Sequence, residues 1–211
     1  MIERDDIVRG AAALGIDLSA VVAERLAAYA RLLLKWNRSY NLTAIREPHQ
    51  IVSHHLLDSL SVLPHLGRVG RLADIGSGAG LPGIPLAIAC PALDVVSIEA
   101  AGKKASFQQQ ARIELALDNF VPVHGRIEQW RDDRGCDAVI SRAFSDLAHF
   151  ARLAAPMLAP GGRLLAMKGR FPRQELASLP PGIAVSTVIE LHVPGLNAER
   201  HLIVMTNDGA A

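Results

Sequence analysis

The sequence predicts an α/β fold: a mostly parallel sheet with a ligand pocket at the carboxyl ends of its strands, preceded by a helical extension. Three observations predict it. The stretch 71–85 reads R-L-A-D-I-G-S-G-A-G-L-P-G-I-P, a short apolar run (Leu72, Ala73, Ile75) followed by Gly76, Gly78, Gly80 and Gly83 and a second apolar segment. Such a run suits a strand buried on both faces. Glycines that close together permit a tight turn and let a ligand approach the backbone, which is how a sheet builds a nucleotide-type pocket after its first strand. Beyond this stretch, apolar runs and helical segments alternate regularly. Finally, 211 residues, 50% of them hydrophobic and 20% charged, suffice for one domain with a substantial core and a small extension.

The N-terminal part, 1–66, is expected to be a helical extension, and 67–211 the domain itself. A first helix is expected over 3–14, stopped by Gly15. A second starts near Ser19 and carries Val22, Leu26, Tyr29, Leu33 and Trp36 in steps of 4, 3, 4 and 3, one stripe on one helix face. The following segment, 31–46, holds Arg31, Lys35, Arg38 and Arg46 and no acid, so it reads either as a solvated helix end or as a phosphate-contacting surface. Pro48 opens a third helix over 49–63, closed by Pro64. It carries His54, His55 and Asp58, but adjacent histidines point in different directions on a helix and cannot share one ion, so no metal is expected.

After the glycine loop a helix is expected to begin late, around Pro82, because proline suits only a first helical turn. Then follow a strand over 94–99, a helix over 103–115, a strand over 121–124, a helical turn over 127–130 and a strand over 136–141. A helix over 146–158, a turn at Pro160-Gly161-Gly162 and a strand over 163–168 come next. Two final strands, 184–192 and 200–207, have no long helix between them and are expected to be antiparallel, the rest of the sheet parallel.

Composition excludes several classes. No apolar run approaches the length of a membrane span, and the acidic start M-I-E-R-D-D does not suit a signal or transit peptide. Cys90 and Cys136 have no metal or redox spacing and read as buried thiols of a cytoplasmic protein. The net charge of +1 does not announce a nucleic-acid binder, so any such role must come from local clustering.

The loop admits two cofactor readings. Gly78-Ala79-Gly80-Leu81-Pro82-Gly83 matches G-x-G-x-x-G, with Glu99 19 residues beyond Gly80, as in an NAD-dependent oxidoreductase. Counting from Asp74 gives D-x-G-x-G-x-G, the pattern of S-adenosylmethionine enzymes, in which no pyrophosphate has to be seated. The late helix start favours this second reading.

Six stretches in order, L-L-K-W-N-R-S-Y-N-L-T (33–43), H-L-L-D-S-L (55–60), D-I-G-S-G-A-G-L-P-G-I-P-L (74–86), I-S-R-A-F (140–144), M-K-G (167–169) and E-R-H-L-I-V (199–204), resemble the bacterial RsmG or GidB family. That family comprises guanine-N7 methyltransferases of small-subunit rRNA. The resemblance covers most of the chain; Glu99 stands where many members carry Asp. It implies a class I S-adenosylmethionine-methyltransferase fold, Rossmann-like with an antiparallel last strand. It also implies S-adenosyl-L-methionine as cofactor, and 16S rRNA or the small ribosomal subunit as partner, with guanine-527 as target. A monomer is expected.

Carried over by position, Gly76, Leu81, Ile127, Glu128 and Arg142 resemble cofactor contacts, beside Gly78 and Gly80 of the loop. Glu99, ending the second strand, is placed to accept from ribose hydroxyls. Arg142, a cation directly after a buried strand, would touch the cofactor carboxylate or the incoming RNA. For RNA phosphates the candidates are Arg46, Lys168, Arg170, Arg173 and Arg200, the segment 163–173 being basic without an acid. Phe144 could stack on a splayed guanine or belong to the core.

No nucleophile–base pair is found, and no catalytic residue is assigned. Guanine N7 bears a lone pair and no proton, so it needs orientation rather than a base. Exocyclic-amine methylation would call for an Asn/Asp-Pro-Pro-aromatic motif where Ser141-Arg142-Ala143-Phe144 stands. Pyrimidine carbon methylation would need a cysteine near the pocket, but Cys136 starts its strand at the far end. A non-catalytic ribosome-binding protein is the remaining alternative, and an idle pocket would not need Asp74, Glu99 and Arg142 together.

Overall fold

The computed structural model describes residues 2–142, 144 and 146–207. Seven strands, β1 (Arg71–Ile75), β2 (Asp94–Glu99), β3 (Phe120–His124), β4 (Cys136–Ser141), β5 (Leu158–Lys168), β6 (Ile183–Glu190) and β7 (His201–Asn207), form one sheet. Their order is β3-β2-β1-β4-β5-β7-β6. Strands β1 to β5 pair in parallel, and β7 runs antiparallel between β5 and β6. The expected α/β class with an antiparallel last strand is the observed one. Strand order reverses between β1 and β4, so a crevice opens at their carboxyl ends, where Gly76 and Arg142 leave the sheet.

Helices α1 (Arg4–Ala13) and α2 (Ala20–Tyr40) lead the chain. Ser19 caps α2 by accepting from the Val22 amide, and Asn41 ends it in the left-handed region. The predicted stripe buries Leu26, Tyr29 and Leu33 completely. These helices share one apolar core with α5 (Gly83–Ala89) and α6 (Gly102–Glu114) on one face of the sheet. On the other face α7 (Leu147–Ala154) and the short α8 (Arg173–Leu176) cover a second core around Ile75, Val139 and Phe150.

Three local expectations are corrected. The third helix is not uniform: α3 (Pro48–Ile51) passes into a π-helix over Val52–Leu57 and returns to α-helix as α4 (Asp58–Leu60). Its wider turn shifts every later residue off the face that a 3.6 period gives. The helix expected over 146–158 ends at Ala154 and continues as a 3-10 turn over Ala155–Met157, because Pro156 has no amide to donate. Pro160-Gly161-Gly162 is not a turn outside the sheet. It lies within β5, where the register against β4 shifts between Cys136 and Ala138. Among the described residues, pairing with β7 starts only at Arg163, beyond Pro160, which has no N–H to give a ladder.

Among the described residues no helix is long and apolar enough to cross a membrane. No group of three or more His, Cys, Asp or Glu among them could hold a metal ion.

Candidate active site

The glycine loop is pinned from below and from both sides. Gly76 donates to the Ile98 carbonyl at 2.9 Å, and Ser77 receives hydrogen bonds from Ser97 at 2.6 Å and Gln108 at 2.8 Å. Asp74, fully buried, accepts from the Gly83 amide at 2.7 Å through Oδ2. Gly83 has to be glycine: a Cβ there would lie 2.8 Å from that same oxygen. Burial pushes the Asp74 carboxyl up to about 7, and its Oδ1 has no hydrogen-bond partner among the described residues. The first amide of α5 is thus already held by a carboxylate. A pyrophosphate, which a dinucleotide loop seats at that position, would meet a buried acid instead.

Glu99 closes the loop from β2. Its Oε2 accepts from Gly78 N at 2.7 Å and its Oε1 from Ala101 N at 2.8 Å. Each oxygen keeps a further lone pair for a ligand.

Three cavities lie along this edge of the sheet. The first, about 200 Å³, is lined by Gly76, Ile98, Glu99, Ile127, Glu128 and Phe144, among others. The second, about 230 Å³, shares Gly76 with it and adds Thr43, His55, Gly78, Leu81, Lys104 and Arg142. The third, about 320 Å³, shares His55 and Arg142 with the second and adds His54, Asp58, Met167, Lys168 and Arg200.

His55 is neutral at the join. Burial, reinforced by the nearby Arg142 guanidinium, lowers its pKa to about 4. Its Nδ1 is hydrogen-bonded to the His54 carbonyl at 3.0 Å, with Arg142 Nη2 at 3.5 Å, and its Nε2 to the Thr43 hydroxyl at 2.8 Å. Asp58, only 1% exposed, accepts from Arg142 Nη1 at 3.1 Å and from Arg200 Nε at 2.8 Å.

The structure therefore brings Gly76, Gly78, Leu81, Glu99, Ile127, Glu128 and Arg142 around the first two cavities. Gly80 lines neither: it turns the loop at φ +82°, and a Cβ on it would strike Ile84 at 2.4 Å. Phe144 sits on the Glu99 side, packed against His149 and Phe150, and not in the third cavity. The RNA candidates divide. Lys168 and Arg200 line the third cavity, each ion-paired, Lys168 to Glu175 at 2.8 Å and Arg200 to Asp58. Arg170 opens onto a wide groove of about 950 Å³ beside Arg200, while Arg46 and Arg173 are exposed. Arg163 lies midway along β5, five residues before Lys168, bonded to the Leu66 carbonyl, and does not extend this surface.

Sequence reasoning assigned no role here to Thr43, His55, Asp58 or Lys104. The signal was present for three of them, since Thr43, His55 and Asp58 lie in the quoted family-like stretches.

Comparison with known proteins follows the same lines. The model of the family described as rRNA small subunit methyltransferase G matches residues 22–203. The ribosomal RNA small subunit methyltransferase G of Aromatoleum aromaticum is 60% identical over 201 residues, covering 93% of this chain and 95% of that one. Its counterpart in Neisseria meningitidis serogroup A is 47% identical over 205 residues, covering 97% and 99%. Among solved structures, TrmN from Thermus thermophilus superposes with a TM-score of 0.57 at 19% identity, over 74% of this chain and 53% of that one. A SAM-dependent methyltransferase from Geobacter sulfurreducens in complex with S-adenosyl-L-homocysteine gives 0.55 at 12% identity, over 84% and 98%. These two likenesses are of fold.

Proposed function

Because the chain belongs to the rRNA small subunit methyltransferase G family, we propose that it transfers a methyl group from S-adenosyl-L-methionine to N7 of one guanine of 16S rRNA. By family likeness that guanine is guanine-527. The observation that carries this reading is the pair of cavities meeting at Gly76, one ending at Glu99 and Glu128, the other at Lys104 and Arg142. One long ligand with an adenosine end and an amino-acid end suits that shape.

The chain's own residues fit such a ligand. Glu99 offers carboxylate lone pairs to ribose hydroxyls, and the Ile127–Glu128 turn borders the same cavity for an adenine edge. Lys104 provides a cation for a carboxylate at the other end. Asp74 lines neither cavity; buried beneath the loop, it holds the Gly83 amide and so shapes the turn that borders them.

When bound, S-adenosylmethionine supplies an electrophilic methyl group on a positively charged sulfur. The protein's task is then alignment. His55, being neutral, adds no charge to those of Arg142 and Lys104 in the second cavity, and the third cavity would hold the acceptor base with its N7 lone pair towards the second. No side chain has to remove a proton, since N7 carries none. Outside the cavities, Arg46, Arg170 and Arg173 offer exposed charge for RNA phosphates.

The test is labelled methyl transfer from S-adenosylmethionine to small ribosomal subunits, and to their naked RNA, both lacking the modification. The expected result is 7-methylguanosine at one site. Absence of transfer to any ribosomal RNA would overturn the reading.

A further inference from the structure

We propose that Arg142 recognises the acceptor guanine through its O6, and that Asp58 is the positioning residue that holds Arg142 for that contact. The proposal rests on the reading above, in which N7 of a guanine in the third cavity faces a methyl donor in the second.

Two side chains line both cavities, His55 and Arg142. These two side chains stand where the acceptor's cavity and the donor's adjoin. On guanine, N7 and O6 lie side by side on one edge, and both are acceptors. N7 must stay free of donors because its lone pair makes the new bond. O6, next to it, has to be desolvated and therefore needs a donor.

His55 cannot provide one. Both ring nitrogens are engaged, Nδ1 with the His54 carbonyl and Nε2 with the Thr43 hydroxyl, so its one N–H is already spent. Arg142 can. Its Nη1 is used, at 3.1 Å to both Asp58 Oδ2 and the His54 carbonyl, and its Nη2 makes only a long contact of 3.5 Å to His55 Nδ1, while its Nε makes no hydrogen bond among the described residues. An adenine in the same place would turn an amino group towards a guanidinium that can only donate. The arrangement thus rejects adenine without touching N7.

Asp58 explains why the guanidinium stays there. It projects from the first residue of α4, directly after the π-helix, and binds two arginines that arrive from different strands. Arg142 follows β4 and Arg200 precedes β7. Without the carboxylate, two partly buried cations would face each other and separate. The charge of Arg142 is matched by the protein itself, so what it offers the cavity is a directed N–H group more than a net charge.

The experiment is a cycle that crosses one protein change with one atom of the substrate. Small subunits are reconstituted with guanosine or 2-aminopurine riboside at the target position; the latter keeps N7 and lacks O6. Wild type and Arg142→Gln are assayed on both. Either change alone is expected to lower kcat/KM about tenfold or more, and the two together little further than either one. Losses that multiply would overturn the assignment, because Arg142 would then be serving a phosphate or the cofactor. Arg142→Lys, which keeps the charge, carries the cycle should the Gln variant fail to melt cooperatively.

For Asp58, Asp58→Asn is expected to show the same non-additivity with 2-aminopurine. Asp58→Glu should recover part of the loss, with S-adenosylhomocysteine affinity held within about threefold. A fall in that affinity as large as the fall in kcat/KM would make Asp58 a support of the fold only and sink its positioning role. Wild-type protein that fails on guanosine subunits would instead defeat the functional reading itself, so the two failures are told apart.

Discussion

The hydroxyl of Tyr29 donates to the carbonyl of Ala79 at 2.8 Å, tying the second helix of the chain to the middle of the glycine loop. Tyr29 is fully buried, and burial raises its ionisation far above the ordinary range, so the donor is always present. The N-terminal helices are thereby part of the loop's mechanical support. Tyr29→Phe should cost about 1–3 kcal/mol of stability, since it leaves a buried carbonyl unpaired. It should also weaken S-adenosylhomocysteine binding severalfold. Denaturant unfolding and calorimetric titration check the two effects, and a variant matching wild type in both would separate helix from loop.

Gly83 touches Asp74 from the other side. With an added Cβ only 2.8 Å from Oδ2 and 3.2 Å from Val95 Cγ1, Gly83→Ala should break the amide–carboxylate bond. A cost of about 1–3 kcal/mol is expected from overpacking, measurable as a lower denaturation midpoint at unchanged slope.

Two buried titrating groups give stability terms of opposite sign. His55 has a folded pKa of about 4 against 6.5 when free. Its contribution is fully present above about pH 6.5 and is lost as pH falls through about 4. Asp74 has a folded pKa of about 7 against 3.8. Its contribution is present below about pH 3.8 and is lost as pH rises through about 7. The stability difference between wild type and His55→Gln should therefore grow in favour of wild type with rising pH across this window. The difference between wild type and Asp74→Asn should shrink. Melts at half-unit pH steps check this; two differences that move together would contradict it.

Charge reversal at Arg170 and Arg173 should weaken binding of small subunits and reduce its salt dependence, leaving S-adenosylhomocysteine affinity unchanged. Lys168→Glu should behave differently. It places an acid against Glu175 in a partly buried pair, so loss of thermal stability is expected first. Filter binding at two salt concentrations, beside thermal melts, separates the classes. Equal loss of RNA and cofactor binding in the double arginine variant would refute the exposed-face assignment.

How far the sequence alone reached follows from the range of each interaction. Strands β2 and β4 match their sequence-derived bounds to the residue, because each has a short apolar centre (Val95-Val96, Ala138-Val139-Ile140) closed by a polar residue, Glu99 or Ser141. Glu99 was legible because a strand end and a glycine turn are local signals. The π-helix was not, since no local preference marks where a helix widens. Nor was the role of Asp58, considered only with His54 and His55 in a metal reading that was rejected. Its partners lie 84 and 142 residues away, and no periodicity can announce such a pairing. The separation of Lys168 from the exposed arginines was hidden for a similar reason: the acid that neutralises it, Glu175, stands two residues beyond the basic segment.

The sheet order also has a temporal meaning. Strand β6 is made before β7, yet it is joined to the sheet only through β7. As the chain emerges from a ribosome amino end first, β1 to β5 can pair in turn while β6 waits outside with its edge open. The strand that admits it also brings Arg200, the second arginine held by Asp58. The outermost hydrogen-bond ladders and the Arg200 wall of the third cavity are thus completed together, late in the chain.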